Sequence, residues 1–190
     1  MSRALALLIA VLLLVVMSAG AASAREVLLR DPAGDMWRRD LQGSISEAPN
    51  SHLGDVRRAL FRHDPRKIVV RQRFVDLRRT GDYAQYAVRI ESAAGTYREV
   101  RVEASRRSWA GRSRVFNRRG DRLDCVTTHD IDYAANVVVM TVPRTCIGTP
   151  RKVRATASNY RSDVNHHFLM DNPHNTDSSA QVWTRWLRVS

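Results

Sequence analysis

From residue 55 onward the chain repeats one pattern: a short run of alternating apolar and polar residues, then a turn signal, then another run. In "YAQYAVRIE" (83–91), Tyr86, Val88 and Ile90 fall on one face and Gln85, Ala87 and Arg89 on the other. A side-chain period of two belongs to a strand with one buried face. An amphipathic helix would repeat its apolar positions every three or four residues instead. Ten segments are expected as strands: 25–29, 55–63, 66–77, 83–91, 96–104, 113–116, 121–128, 136–143, 151–160 and 181–189. Turn residues punctuate them. Pro65 suits the second position of His63-Asp64-Pro65-Arg66, and Thr80-Gly81-Asp82 and Asn117-Arg118-Arg119-Gly120 supply further turns. So many one-faced strands bury their apolar sides only against a second sheet. The expected fold is therefore all-β, an antiparallel, jelly-roll-like β-sandwich with the apolar run "NVVVMTVP" (136–143) near its centre. The stretches 30–54 and 161–180 resist strand assignment and are expected as long loops, where function tends to reside.

The first 24 residues stand outside this pattern. Arg3 precedes the apolar run "ALALLIAVLLLVVM" (4–17), and Ala22 and Ala24 put small side chains at −3 and −1 of a cut before Arg25. This is the form of a secretory signal peptide, and the run is shorter than the ~20 residues of a membrane span. Residues 25–190 then form one domain, secreted or retained in the cell envelope, with no membrane span after cleavage. In an exported chain the only two cysteines, Cys125 and Cys146, are expected to form a disulfide.

The formal charge is +12, almost all from arginine, with Lys67 and Lys152 the only lysines. Such a protein can bind an extracellular or cell-wall polyanion, and no specific nucleic-acid motif is present. Arginines that alternate with apolar residues also suit the solvated face of a sheet, and this plainer reading is preferred.

The segment "VVVMTVPRTCIGTPRKVRATA" (137–157), with "DPAGDMW" (31–37), "GDVRRALFRHDPRKIVVRQRFVDL" (54–77) and the closing pair of tryptophans, resembles small exported proteins of unknown function from GC-rich Gram-positive bacteria. The early acidic turn followed by β-meanders is more distantly similar to the sandwich modules of the DOMON and family-9 carbohydrate-binding type. The resemblance implies a fold and an exported location. It implies no reaction.

In "DPAGD" (31–35), Asp31 and Asp35 flank a turn. Ca²⁺ takes six to eight oxygens, which two aspartates do not supply. A calcium site would need help from Asp55, Asp171 and Asp177; otherwise the aspartates cap the turn through its own backbone. In the distantly similar sandwiches calcium sits under such a turn. His166, His167 and His174 lie among Asp163, Asp171 and Asp177 in no recognised metal-binding frame, and are expected to form a polar surface loop. Arg119-Gly120-Asp121 is ordinary hairpin-turn content. Trp183 and Trp186 are candidates for stacking on a sugar. Their odd spacing puts them on opposite faces of a regular strand.

No G-x-S-x-G elbow, phosphate loop or dinucleotide fingerprint occurs, and the chain is not expected to be an enzyme. The expected role is a non-catalytic module that binds a glycan or cell-envelope polymer, with calcium as the one candidate cofactor. A secreted protein-interaction or inhibitor domain is the alternative, and a hydrolase the remote one.

Overall fold

The alternation resolves into strands β1 (Glu26–Arg30), β2 (Trp37–Arg39), β3 (Ile45–Glu47), β4 (Val56–His63), β5 (Lys67–Phe74), β6 (Tyr83–Ser92), β7 (Tyr97–Ser105), β8 (Ser108–Phe116), β9 (Arg122–Leu123), β10 (Thr128–Asp132), β11 (Val137–Pro143), β12 (Lys152–Ser162), β13 (Phe168–Asp171) and β14 (Leu187–Arg188). The structure, a computed structural model, describes residues 26–163, 165–173 and 181–189. The expected leader, His174 and Asp177 lie outside them. No helix of the described residues is long and apolar enough to cross a membrane.

The first sheet has the order β1-β4-β5-β11-β10, and the second β3-β2-β13-β12-β6-β7-β8-β9, with β14 added to one end of β12. The ladders are antiparallel. Inward-facing positions pack the two sheets together. Phe61, Ile68, Val70, Met140 and Val142 of the first meet Tyr86, Val88, Ile90, Val100, Val102 and Val153 of the second in one buried cluster. The expected all-β sandwich is the observed fold. The run 136–143 does lie inside its sheet, as β11 between β5 and β10.

Three expectations need correction. The stretches 30–54 and 161–180 are not plain loops. They contain β2, β3 and β13, which pair with one another and extend the second sheet. Strands of three or four residues are too short to show a period, and their register comes from distant partners such as Trp37 opposite Met170. The segment 121–128 is not one strand: it holds the two-residue β9, and the chain then crosses to the first sheet, where "THDID" forms β10 from Thr128. In the closing segment only Leu187–Arg188 is strand.

Cys125 and Cys146 are bridged, with Cα atoms 5.8 Å apart. Cys125 sits on the crossing from β9 to β10, and Cys146 on a 3₁₀ turn (Arg144–Ile147) that leaves β11 for the second sheet. The bond thus ties together two connections between the sheets. The hairpin before it is built as its residues imply, with Asn117 Oδ1 accepting from the amides of Arg119 and Asp121.

Candidate functional site

Carboxylates from three separate parts of the chain meet at one corner of the sandwich. Asp31 follows β1, Asp35 closes the Pro-Ala-Gly turn, and Asp171 ends β13. One oxygen from each lies within 4.8 Å of the others. Two oxygens bound across a Ca²⁺ ion at about 2.4 Å each stand about 4.8 Å apart, so the spacing suits that ion. Asp55 completes the corner from the segment entering β4. Asp31, Asp55 and Asp171 are all buried, Asp171 to 2 % exposure.

Local structure holds each group in place. Gly34 has φ +83°, and a Cβ there would stand 2.8 Å from Pro49 O. That conformation aims its amide at Asp55 Oδ2, 2.7 Å away. Asp55 thus reaches across from the start of β4 to cap the turn. Gly54, at φ +89°, packs directly on the buried Arg161, whose Cδ would stand 2.8 Å from a Cβ at position 54. The β4 ladder slips by one residue between Val56 and Arg58, and Val56 N donates to Asp171 Oδ2 at 2.5 Å.

These bonds do not satisfy the oxygens. Asp55 Oδ1, Asp171 Oδ1 and both carboxylate oxygens of Asp35 are buried without a well-formed hydrogen bond, although the Asp35 amide pulls on its own carboxylate and the Asn172 amide on that of Asp171. At the rim, His52 Nδ1 lies 3.6 Å from Asp55 Oδ2. Burial pushes the Asp171 carboxyl up to about 8. The charges of Asp35 and Asp55 add to this, and the Val56 amide opposes it. Burial also raises Asp35, with Asp55 adding, and it raises Asp55 against the pull of the Gly34 amide and His52. A small cleft of about 150 Å³, lined by Gly34, Asp35, Trp37 and Glu47, opens onto Asp35. The corner can take a hard cation, which would satisfy the lone pairs that lack a well-formed hydrogen bond.

Three of the five candidate metal ligands thus bring oxygens together, Asp55 stands beside them, and Asp177 lies outside the described residues. His166 and His167 face other carboxylates. His166 Nδ1 faces Asp82 at 2.6 Å and His167 Nδ1 faces Asp163 at 3.3 Å.

Trp183 and Trp186 lie on the same side, against the expectation for a regular strand. Thr184 hooks onto the edge of β12, its amide donating to Ala155 O and its hydroxyl accepting from Ala155 N. The chain there is not regular strand, and both indoles fold over Arg154, with ring centroids 5.0 and 5.3 Å from its Cζ. Trp186 stays 41 % exposed. Arg154 Nε in turn donates to Glu91 at 2.8 Å, and Arg118 joins Glu91 while lying over Tyr97. On the same outer face a shallow groove of about 460 Å³ is lined by Arg39, Tyr83, Gln85, Arg89, Ser158 and Tyr160, among others. Sequence reasoning missed this groove. Its residues come from five strands, and only the outward alternation of β6 and β12 hinted at it.

Comparisons with protein-family models, with curated proteins and with solved structures found no match.

Proposed function

We propose that this protein is an exported, non-catalytic module that binds a glycan or cell-envelope polymer, and that a calcium ion closes its acidic corner. The observation that carries the binding reading is the ledge formed by Trp183 and Trp186 on Arg154. An exposed indole beside ion-paired arginines and tyrosines offers the mix a sugar needs: flat apolar faces for its C–H surfaces and fixed donors for its hydroxyls. A face made for one small substrate would be deeper and more enclosed. The bridged cysteines suit an oxidising compartment and agree with export.

Calcium is the structural part of the reading. It would bind Asp31, Asp35 and Asp171, with Asp55 held beside them, and join β1, β4 and β13 at one point. The support is chemical: buried carboxylate oxygens without well-formed hydrogen bonds favour a cation or a proton, and an extracellular fluid supplies calcium.

The test is co-sedimentation of the mature chain with isolated cell-wall polysaccharide across a salt series. Saturable binding that persists at physiological ionic strength, and is lost in Trp183→Ala/Trp186→Ala, is the expected result. Binding that disappears at moderate salt, or is equal in the double variant, removes the glycan reading.

A further inference from the structure

The two outer faces of the sandwich treat arginine differently. Across the central strands of the second sheet five arginines are matched by glutamate. Arg89 and Arg101 lie 3.5 and 3.0 Å from Glu99, Arg114 donates to Glu103, and Arg118 and Arg154 share Glu91. On the first sheet Arg62 pairs with Asp64, but the side chains of Arg58, Arg71 and Arg73 have no acidic partner among the described residues. Register puts Arg30, Arg58 and Arg73 in one row across β1, β4 and β5, and Leu28, Leu60 and Arg71 in the next. Like charges directly opposite one another weaken a ladder, so this row works against the fold that carries it. Arg58, Arg71 and Arg73 are exposed and make no hydrogen bond or ion pair among the described residues. Acidic side chains on this face stand at its margins. Glu26 is opposite Arg62, which already pairs with Asp64, and Asp130 and Asp132 are on β10, two strands from β5. That is about 10 Å away, roughly a Debye length at physiological salt.

We infer that the outer face of the first sheet is a second binding site, for a linear polymer bearing carboxylate or phosphate groups. Arg58, Arg71 and Arg73 surround a hollow of about 340 Å³ whose apolar floor is Leu28 and Leu60. Guanidinium forks match carboxylate and phosphate oxygens in pairs, and their rows repeat across the strands as acidic groups repeat along a chain. The leucine floor receives the carbon skeleton between those groups. An anionic membrane would need aromatic or bulky apolar anchors at the interface, and the outward positions of β1, β4, β5, β10 and β11 hold no Trp, Tyr or Phe. This site shares no residue with the tryptophan ledge or the acidic corner, so it goes beyond the glycan reading and stands or falls apart from it.

The experiment uses the mature chain at physiological ionic strength, with fluorescently labelled polygalacturonate and long-chain polyphosphate as probes. Neutral dextran and phosphatidylglycerol-rich vesicles complete the set. The variant Arg58→Gln/Arg71→Gln/Arg73→Gln is compared with Arg107→Gln/Arg112→Gln/Arg119→Gln, which removes the same charge elsewhere. The wild type is expected to bind at least one acidic polymer and not dextran. The first variant should bind about tenfold more weakly or worse while melting no lower, and the second should bind as the wild type does. Equal weakening in both variants would reduce the effect to diffuse charge and overturn the inference. Unchanged affinity in the first variant would overturn it too, as would binding to vesicles without binding to either polymer. Wall binding through Trp183 and Trp186 is scored by a different variant, so the failure of one site is distinguishable from that of the other.

Discussion

Asp171→Asn separates a metal corner from a merely acidic one. Asparagine keeps the size of the side chain, can still accept from Val56 N, and carries no charge. In the metal-free wild type the Asp171 carboxyl, with a pKa of about 8 against 3.8 when unfolded, binds a proton at pH 7 that the unfolded chain does not. The difference between pH 7 and 3.8 is about three pH units, or about 4 kcal/mol of folding free energy spent on keeping that group neutral. Relaxation and water entry at a corner near the surface bring the effective penalty to about 2 kcal/mol. The sign follows from the raised pKa. The metal-free fold has the full contribution of this group below about pH 4 and loses it as pH rises through about 8. Thermal melts in EGTA should therefore show the wild type losing stability from pH 5 to pH 8. At pH 7, Asp171→Asn should melt higher by about 4–8 °C for a domain of this size. Excess calcium should reverse the order by raising the wild type and leaving the variant unmoved. If Asp171→Asn melts lower than the wild type in EGTA, or calcium moves neither protein, the reasoning about this corner is refuted.

Other perturbations probe its supports. Gly34→Ala strains a backbone at φ +83° and drives a Cβ into Pro49 O, so it should cost about 1–3 kcal/mol in urea unfolding and weaken calcium binding with it. A fully wild-type urea midpoint would show that the turn is not held as described. Cys125→Ser/Cys146→Ser opens a bridge of sequence separation 21 and should lower stability by about 3 kcal/mol, read as a shift in the urea midpoint. Arg154→Met removes the cation over Trp183 and Trp186, and should cost about 1 kcal/mol and change the tryptophan emission maximum. An unchanged spectrum would place the indoles elsewhere.

The long strands were legible because eight to eleven residues show their alternation without help, as in β4, β6 and β12. The short strands were not. Trp37–Arg39 and Phe168–Asp171 acquire strand geometry only through each other and through β12, a fact no local window contains. The acidic residues were legible one at a time, and the need for Asp55 and Asp171 followed from the oxygen count that calcium requires. Their burial was not legible, because an aspartate in a loop looks the same whether it faces solvent or sits under β4. The odd spacing of Trp183 and Trp186 misled because it assumed a strand where Thr184 pins an irregular segment onto Ala155. Arginines that alternate with apolar residues do face outward on strands such as β4 and β5, but Arg161 at the end of β12 is buried and donates to Arg78 O and Thr80 O. Which arginines meet a glutamate is set by cross-strand register, and only the paired sheets reveal the unmatched row at Arg58 and Arg73.

The acidic corner is the part of this account on which the rest of the site's architecture depends, and calorimetric titration of the EGTA-treated mature chain with calcium at pH 8 tests it most directly. The prediction is one ion per chain with a dissociation constant below about 1 mM, the range of extracellular calcium modules or tighter. Protons should be released on binding at pH 7, and Asp171→Asn should give no signal. A flat titration of the wild type, or an equal titration of Asp171→Asn, would contradict it.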